Sequence, residues 1–140
     1  MTLSDRMVVK PIASEIAKLN DWLDGAFETG KLERPVAADL KLCINEAVAN
    51  LIDYAFKDTA EPSIVVEVEI EPLLGTAVVF DNGAYFDIRQ WPTPEKPMDL
   101  MSATPGGFGI ALIRERASHI DYVRDGSGNR LTIVCSGVNP

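Results

Sequence analysis

Ile64-Val65-Val66-Glu67-Val68-Glu69-Ile70-Glu71, then Pro72-Leu73-Leu74-Gly75, then Thr76-Ala77-Val78-Val79-Phe80, is the stretch from which the fold follows. The first run alternates apolar and acidic residues, the period of a strand with one face on a core and the other in water. The proline and glycine mark a turn, and the third run reads as a more deeply buried strand. Together they make a hairpin, and hairpin strands pair antiparallel, so this sheet needs a helical cover on one face only.

Upstream, Met7–Ile12 reads as a short strand ended by proline, and Ala13–Phe27 as an amphipathic helix with Ile16, Leu19, Leu23 and Phe27 on one stripe, closed by Gly30. A longer helix starts near Pro35, a residue suited to a first turn, and runs to about Lys57. Leu40, Ile44, Ala47, Val48, Leu51 and Ala55 gather on its core side, and Asp39, Glu46, Asn50 and Asp53 on an acidic, amide-bearing side.

Downstream, periodicity dissolves from Ile88 to Pro105, a stretch of 18 residues punctuated by Pro92, Pro94, Pro97 and Pro105. Connections that long are usually binding loops or lids, or else disordered. Gly106-Gly107-Phe108-Gly109 then opens a helix running to about Ser118. Strands at Ile120–Arg124 and Arg130–Cys135 follow, joined by the turn-forming Asp125-Gly126-Ser127-Gly128-Asn129. Alternating βαβ units are absent. The expected architecture is an α+β two-layer sandwich: a mixed, mostly antiparallel sheet with helices on one face.

The 140 residues suit a single domain, 1–140, with 46% apolar and 24% charged residues. Twenty-one acidic against thirteen basic side chains leave a net charge of −8, the reverse of a nucleic-acid footprint. An anionic ligand would therefore need a metal ion or local backbone N–H groups to hold it. Cys43 and Cys135 lack a C-x-x-C partner or a histidine at ligand spacing and are read as buried, reduced thiols. Neither a secretory signal nor a membrane span is evident, so a cytoplasmic protein without a membrane partner is expected.

Three small constellations carry chemistry. Glu46 and Asn50 lie one helical turn apart, where a carboxylate can take a hydroxyl proton and an amide oxygen can ligate a hard cation. The same pair is also what any solvated helix face carries. Asp81-Asn82-Gly83 ends the hairpin's second strand: the carboxylate can accept a hydrogen bond from an exocyclic amine, and the glycine lets a ring approach. Read alone, Asp-Asn-Gly is a common turn. Gly107 and Gly109 stand at a helix start, where exposed N–H groups and the helix dipole favour phosphate, although a flexible junction has the same composition.

Taken in order, Glu-x-x-x-Asn on a helix, Asp-x-Gly after a strand, a proline-rich loop and Gly-x-Gly opening a helix resemble the N, G1 and G2 boxes of the GHKL ATP-binding superfamily. The likeness is closest to its anti-sigma factor serine/threonine kinase branch. Phe86-Asp87, Ile110, Leu112-Ile113 and Gly128-Asn129-Arg130-Leu131-Thr132 extend it over most of the chain. The resemblance implies a Bergerat-type fold, ATP and Mg²⁺ as cofactors, and Glu46 as general base. It assigns Asn50 to Mg²⁺, Asp81 to adenine with Gly83 giving room and Thr132 in support, Gly107, Phe108 and Gly109 to the phosphates, and residues 88–105 to a lid carrying Lys96.

It further implies a sigma factor and a STAS-type anti-anti-sigma protein as partners, and a homodimer. The alternatives are a nucleotide-switched binding module without phosphate transfer and a plain ATPase. Two positions depart from the family: Tyr54 stands where a histidine is frequent, and no lid residue stands out as the clamping cation, Lys96 and Arg89 being the nearest. His119, the one histidine, is read as structural, and no Gly-x-Ser-x-Gly elbow exists.

Overall fold

The alternation in the hairpin is realised residue for residue: Ile64, Val66, Val68 and Ile70 are buried, while Val65, Glu67, Glu69 and Glu71 lie on the other face. The computed structural model describes residues 2–90, 107–126 and 128–137. The strands are β1 (Leu3–Val9), β2 (Ile64–Glu71), β3 (Leu74–Asp81), β4 (His119–Asp125) and β5 (Gly128–Ser136). The helices are α1 (Glu15–Thr29), α2 (Arg34–Asn50) and α3 (Gly107–Arg116), with a π turn at Leu51–Ala55 and a 3₁₀ turn at Ile88–Gln90. The five strands form one sheet in the order β1-β2-β3-β5-β4, and every pairing is antiparallel, so the sheet is not mixed.

The helices make the second layer. α1 packs on β1 and β2, α2 on β3 and β5, and α3 against α2. The core lies between the layers and is built by the apolar stripes of α1 (Leu19, Leu23, Phe27) and α2 (Leu40, Ile44, Ala47, Val48), all buried. Leu40 sits where a Cβ on Gly75 would come within 2.6 Å of its Cδ2, so α2 and β3 approach closely only because residue 75 has no side chain. Leu40→Ala removes a fully buried side chain from this contact. It is expected to lower unfolding free energy by about 2–5 kcal/mol in urea titrations, with an unchanged slope.

Element ends differ from the sequence reading, most tellingly in β1, α1 and α2. β1 starts at Leu3 and ends at Val9 rather than Ile12, because Pro11 has no N–H to pair and the Ile12 N–H turns back to the Lys10 carbonyl at 2.8 Å. Asp5, on the core-side row of β1, is matched there by Trp22 of α1, whose indole N–H donates to its carboxylate at 3.0 Å. Gly30 is not the left-handed residue at the end of α1. Lys31 takes that conformation (φ 59°), and the Lys31 and Leu32 N–H groups cap the carbonyls of Glu28 and Phe27, a Schellman arrangement. Residue 30 is glycine for space, since a Cβ there would collide with Ile70. Finally, α2 stops at Asn50 and widens into the π turn, a device that recurs at functional sites.

Candidate functional site

The π turn is what joins the first two constellations. Its last carbonyl, Ala55, accepts the Ala84 N–H at 3.0 Å, and a Cβ on Gly83 would lie 2.6 Å from that oxygen. The Asp81-Asn82-Gly83 loop can therefore seat on the end of α2 only with glycine at position 83. Asn82 fastens the loop from the other side, accepting the Ser63 N–H and donating to the Glu61 carbonyl, both at 2.8 Å.

Beneath this junction lies a narrow cleft lined by Ala47, Asn50, Leu51, Val79, Asp81, Phe86, Ile88, Tyr122, Asn129 and Leu131. Most of the wall is apolar, with Asp81 and Asn129 at one end and Asn50 on the α2 side, the mix expected of a slot for a flat ring with one polar edge. Asn50, read from sequence as part of a solvated face, is buried; its Nδ2 donates to the Glu46 carbonyl at 2.8 Å, leaving the amide oxygen uncommitted among the described residues.

Asp81 is 8% exposed, and both donors it receives fall on Oδ1: the Gly83 N–H at 2.8 Å and Asn129 Nδ2 at 2.9 Å. Burial outweighs these donors and holds its carboxyl above the ordinary range. A raised native pKa means the folded state binds this proton more tightly than the unfolded chain. Ionised Asp81 therefore costs stability at neutral pH, a cost that fades as pH falls into the ordinary carboxylate range. Asp81→Asn is expected to raise the melting point of the nucleotide-free protein by a few degrees near neutrality, and the gain should vanish below roughly pH 4. A melting point unchanged between wild type and variant at pH 7 would contradict this.

One turn back from Asn50, Glu46 meets the start of α3. A Cβ at Gly109 would strike the Glu46 carboxylate at Oε2 and lie 3.2 Å from its Cδ, so this glycine gives the carboxylate its place. α3 begins at Gly107; its first N–H groups have no partner within the helix and so face an anion readily. The side chain of Phe108, and Lys96 with residues 91–106, which include most of the lid expected at 88–105, lie outside the described residues. Arg89 pairs with buried Asp87 at 2.8 Å and reaches Asp121 at 3.5 Å. That guanidinium holds the Asp87 carboxyl below its ordinary range.

Thr132 is not beside Asp81. In β5 it pairs with Val78, on the uncovered face of the sheet, whereas Asp81 pairs with Asn129 on the covered face. Side chains alternate along a strand, so residues 129 and 131 share the cleft and 132 cannot. Sequence reading missed Asn129, Tyr122 and Arg124. Tyr122 donates its O–H to Asn129 Oδ1, and Arg124 Nη1 donates to the same oxygen at 3.2 Å and to the Gly83 carbonyl at 2.7 Å. The available signal was parity along β5, which needs a register that residues 128–136 do not disclose.

A mostly apolar slot with a buried carboxylate at one end, between a helix and an antiparallel sheet, defines the class: a nucleotide-binding α+β domain. The chain belongs to the histidine kinase-like ATPase domain family, whose model matches residues 12–135. It is similar to serine/threonine-protein kinase BtrW of Bordetella bronchiseptica, with 28% identity over 113 residues covering 81% of this chain and 80% of the relative. It is also similar to serine-protein kinase RsbW of Listeria monocytogenes, with 28% identity over 120 residues covering 80% and 75%. Among solved structures, the RsbU and RsbW domains of a Mycobacterium tuberculosis protein align with a TM-score of 0.65 at 17% identity. That likeness covers 96% of this chain and 32% of the solved one, and it bears on the fold alone. Cys43 and Cys135 are both free and buried, as expected, and no helix among the described residues is long and apolar enough to cross a membrane.

Proposed function

We propose that the chain is an ATP-dependent serine/threonine protein kinase of the anti-sigma factor type, one domain over residues 1–140 with a lid at about 88–105, working in the cytoplasm. Its protein substrate is a STAS-type anti-anti-sigma protein, and it also holds a sigma factor, acting as a homodimer. The observation that carries the reading is that three separated stretches converge. Asn50 and Asp81 line one cleft, Gly83 seats on the end of α2, and Glu46 lies against Gly109. The serine-kinase names of the BtrW and RsbW relatives support the choice of reaction.

In this reading Asp81 accepts the exocyclic amine of adenine between the apolar walls of Val79, Ile88 and Leu131. The donor set fits a hard cation: Asn50 offers an amide oxygen whose nitrogen is already tied to Glu46. A magnesium ion held there with the nucleotide would neutralise phosphate charge. Gly107 and Gly109 present N–H groups to the same phosphates, and Glu46 takes the proton from the attacking serine hydroxyl. Local N–H groups and a cation supply the attraction that a chain of net charge −8 lacks overall.

Incubating the chain with ATP, Mg²⁺ and candidate STAS proteins, and reading serine phosphorylation by mass spectrometry, tests this. Phosphorylated STAS serine is the expected result. Tight nucleotide binding with no transfer to any candidate would leave a switched binding module instead.

A further inference from the structure

We infer that Cys43 and Cys135 are a redox-sensitive pair: hydrogen peroxide converts the two thiols into one intramolecular disulfide between α2 and β5, and this loosens α3, the helix that opens at Gly107. The disulfide stands on packing alone, whereas the loss of nucleotide affinity that follows from it rests on the reading above.

Cys43 belongs to the buried stripe of α2 and Cys135 to the covered row of β5. Their meeting is a consequence of packing. Cys135 pairs across the sheet with Gly75, the position left without a side chain so that Leu40 can come down on β3, and Cys43 lies one helical turn beyond Leu40. α2 thus runs closest to the sheet where Cys135 faces it. The two thiols hydrogen-bond to one another, and both face the last turn of α3: the Cys43 sulfur lies 3.9 Å from the Ile113 carbonyl oxygen, and the Cys135 sulfur 3.9 Å from that of Arg116. The Arg116 guanidinium in turn pairs with Asp39 of α2 at 3.3 Å.

The Cys43 S–H, donating to Cys135, holds the Cys135 thiol below its ordinary range and is itself pushed up. Cys135 is therefore the sulfur that reacts first. Peroxide reaches it when α3, a helix of 10 residues packed chiefly on α2, lifts from the pair. The Cys135 thiolate attacks one peroxide oxygen and breaks the O–O bond, giving a sulfenic acid and a hydroxide that takes up the proton the thiol released. The Cys43 sulfur then attacks the sulfenic sulfur, and its proton leaves with the hydroxyl as a second water while the S–S bond closes. Each sulfur gives up one electron, and peroxide is reduced to two waters.

A disulfide brings the sulfurs to about 2 Å and removes both S–H groups. α2 and β5 must draw together beneath α3, and the Ile113 and Arg116 carbonyls lose the donors that faced them. A close-packed interior transmits such a shift. Glu46, one turn along α2 from Cys43, fits against Gly109 without room for a Cβ, so movement of α2 under α3 is felt at that helix's first turn.

Peroxide treatment of the full chain tests this in wild type and Cys135→Ala, each checked for a cooperative melt. Intact mass, peptide mapping without reductant, hydrogen exchange at the α3 amides and calorimetric titration with ADP and Mg²⁺ are the measurements. Wild type is expected to lose two hydrogens per chain, to yield a linked peptide pair holding residues 43 and 135, and to recover with dithiothreitol. Exchange at the α3 amides should quicken by about tenfold, and ADP affinity should fall by about fivefold or more, the usual scale of coupling between sites. Cys135→Ala should form no link and show neither change. Should that variant fail to fold, the wild-type link and its reversal by reductant decide alone. Thiols that resist peroxide, oxygen added without a link, a link between chains, or an internal link that leaves α3 exchange or ADP affinity unchanged overturns the inference. A reduced chain that binds no ADP overturns the nucleotide reading instead, and mass and exchange still judge the pair.

Discussion

Glu46→Gln is expected to cut phosphate transfer to the partner serine by about 10²- to 10⁴-fold, the usual contribution of a general base, while nucleotide affinity moves by less than about threefold. The substitution keeps the shape that fits against Gly109 and removes only the ability to take a proton. The proposed nucleotide contacts sit elsewhere: Asp81 and the apolar walls line the cleft, and Glu46 is not among its lining residues. Single-turnover transfer with a phosphorylatable STAS protein, beside calorimetric ADP binding on the same sample, separates the two effects. Full-rate transfer by Glu46→Gln would remove the general base from the proposed mechanism. Loss of transfer and binding together would move Glu46 into the nucleotide site.

The second large effect is expected of Gly83→Ala. Its Cβ would stand 2.6 Å from the Ala55 carbonyl oxygen and 2.7 Å from the Ala55 Cβ, and both are fixed parts of the π turn rather than the tip of a flexible chain. Nothing there yields cheaply, so the loop must lift. Lifting stretches the Ala84 N–H bond to Ala55 and pulls the Gly83 N–H from Asp81. Unfolding free energy is expected to drop by about 1–3 kcal/mol, the range for overpacking a closed contact, and nucleotide affinity by at least about tenfold. Urea unfolding and ADP calorimetry measure these. An alanine variant of wild-type stability and affinity would show that the loop does not need to sit on the π turn.

The contrast between Gly83 and Gly30 shows how far residue types could be read. Both were singled out from sequence, Gly83 for close approach and Gly30 as a helix stop. At Gly83 the close approach is there, although the atoms approached are those of Ala55 as much as any ligand's. At Gly30 the helix does end, but Lys31 bears the left-handed conformation and the glycine answers to Ile70, a strand residue forty positions away. Local propensity names the place where a chain turns; the neighbour that forbids a side chain is supplied by packing.

The helix stripes, the hairpin and the order of elements were legible because amphipathic period is a local property: a run that alternates every second or every third and fourth residue can bury only one face. From that pattern came the two-layer α+β fold and the core residues of α1 and α2. What the tertiary structure alone decided is who faces whom. Register placed Asn129 rather than Thr132 opposite Asp81, since a shift of one residue along β5 exchanges the covered and uncovered faces of the sheet. It also turned Asn50 from a surface amide into a wall of the cleft, because β3 and β5 close over that side of α2. Pairing across a sheet is set by hydrogen bonds between distant segments, and no period within either segment encodes it.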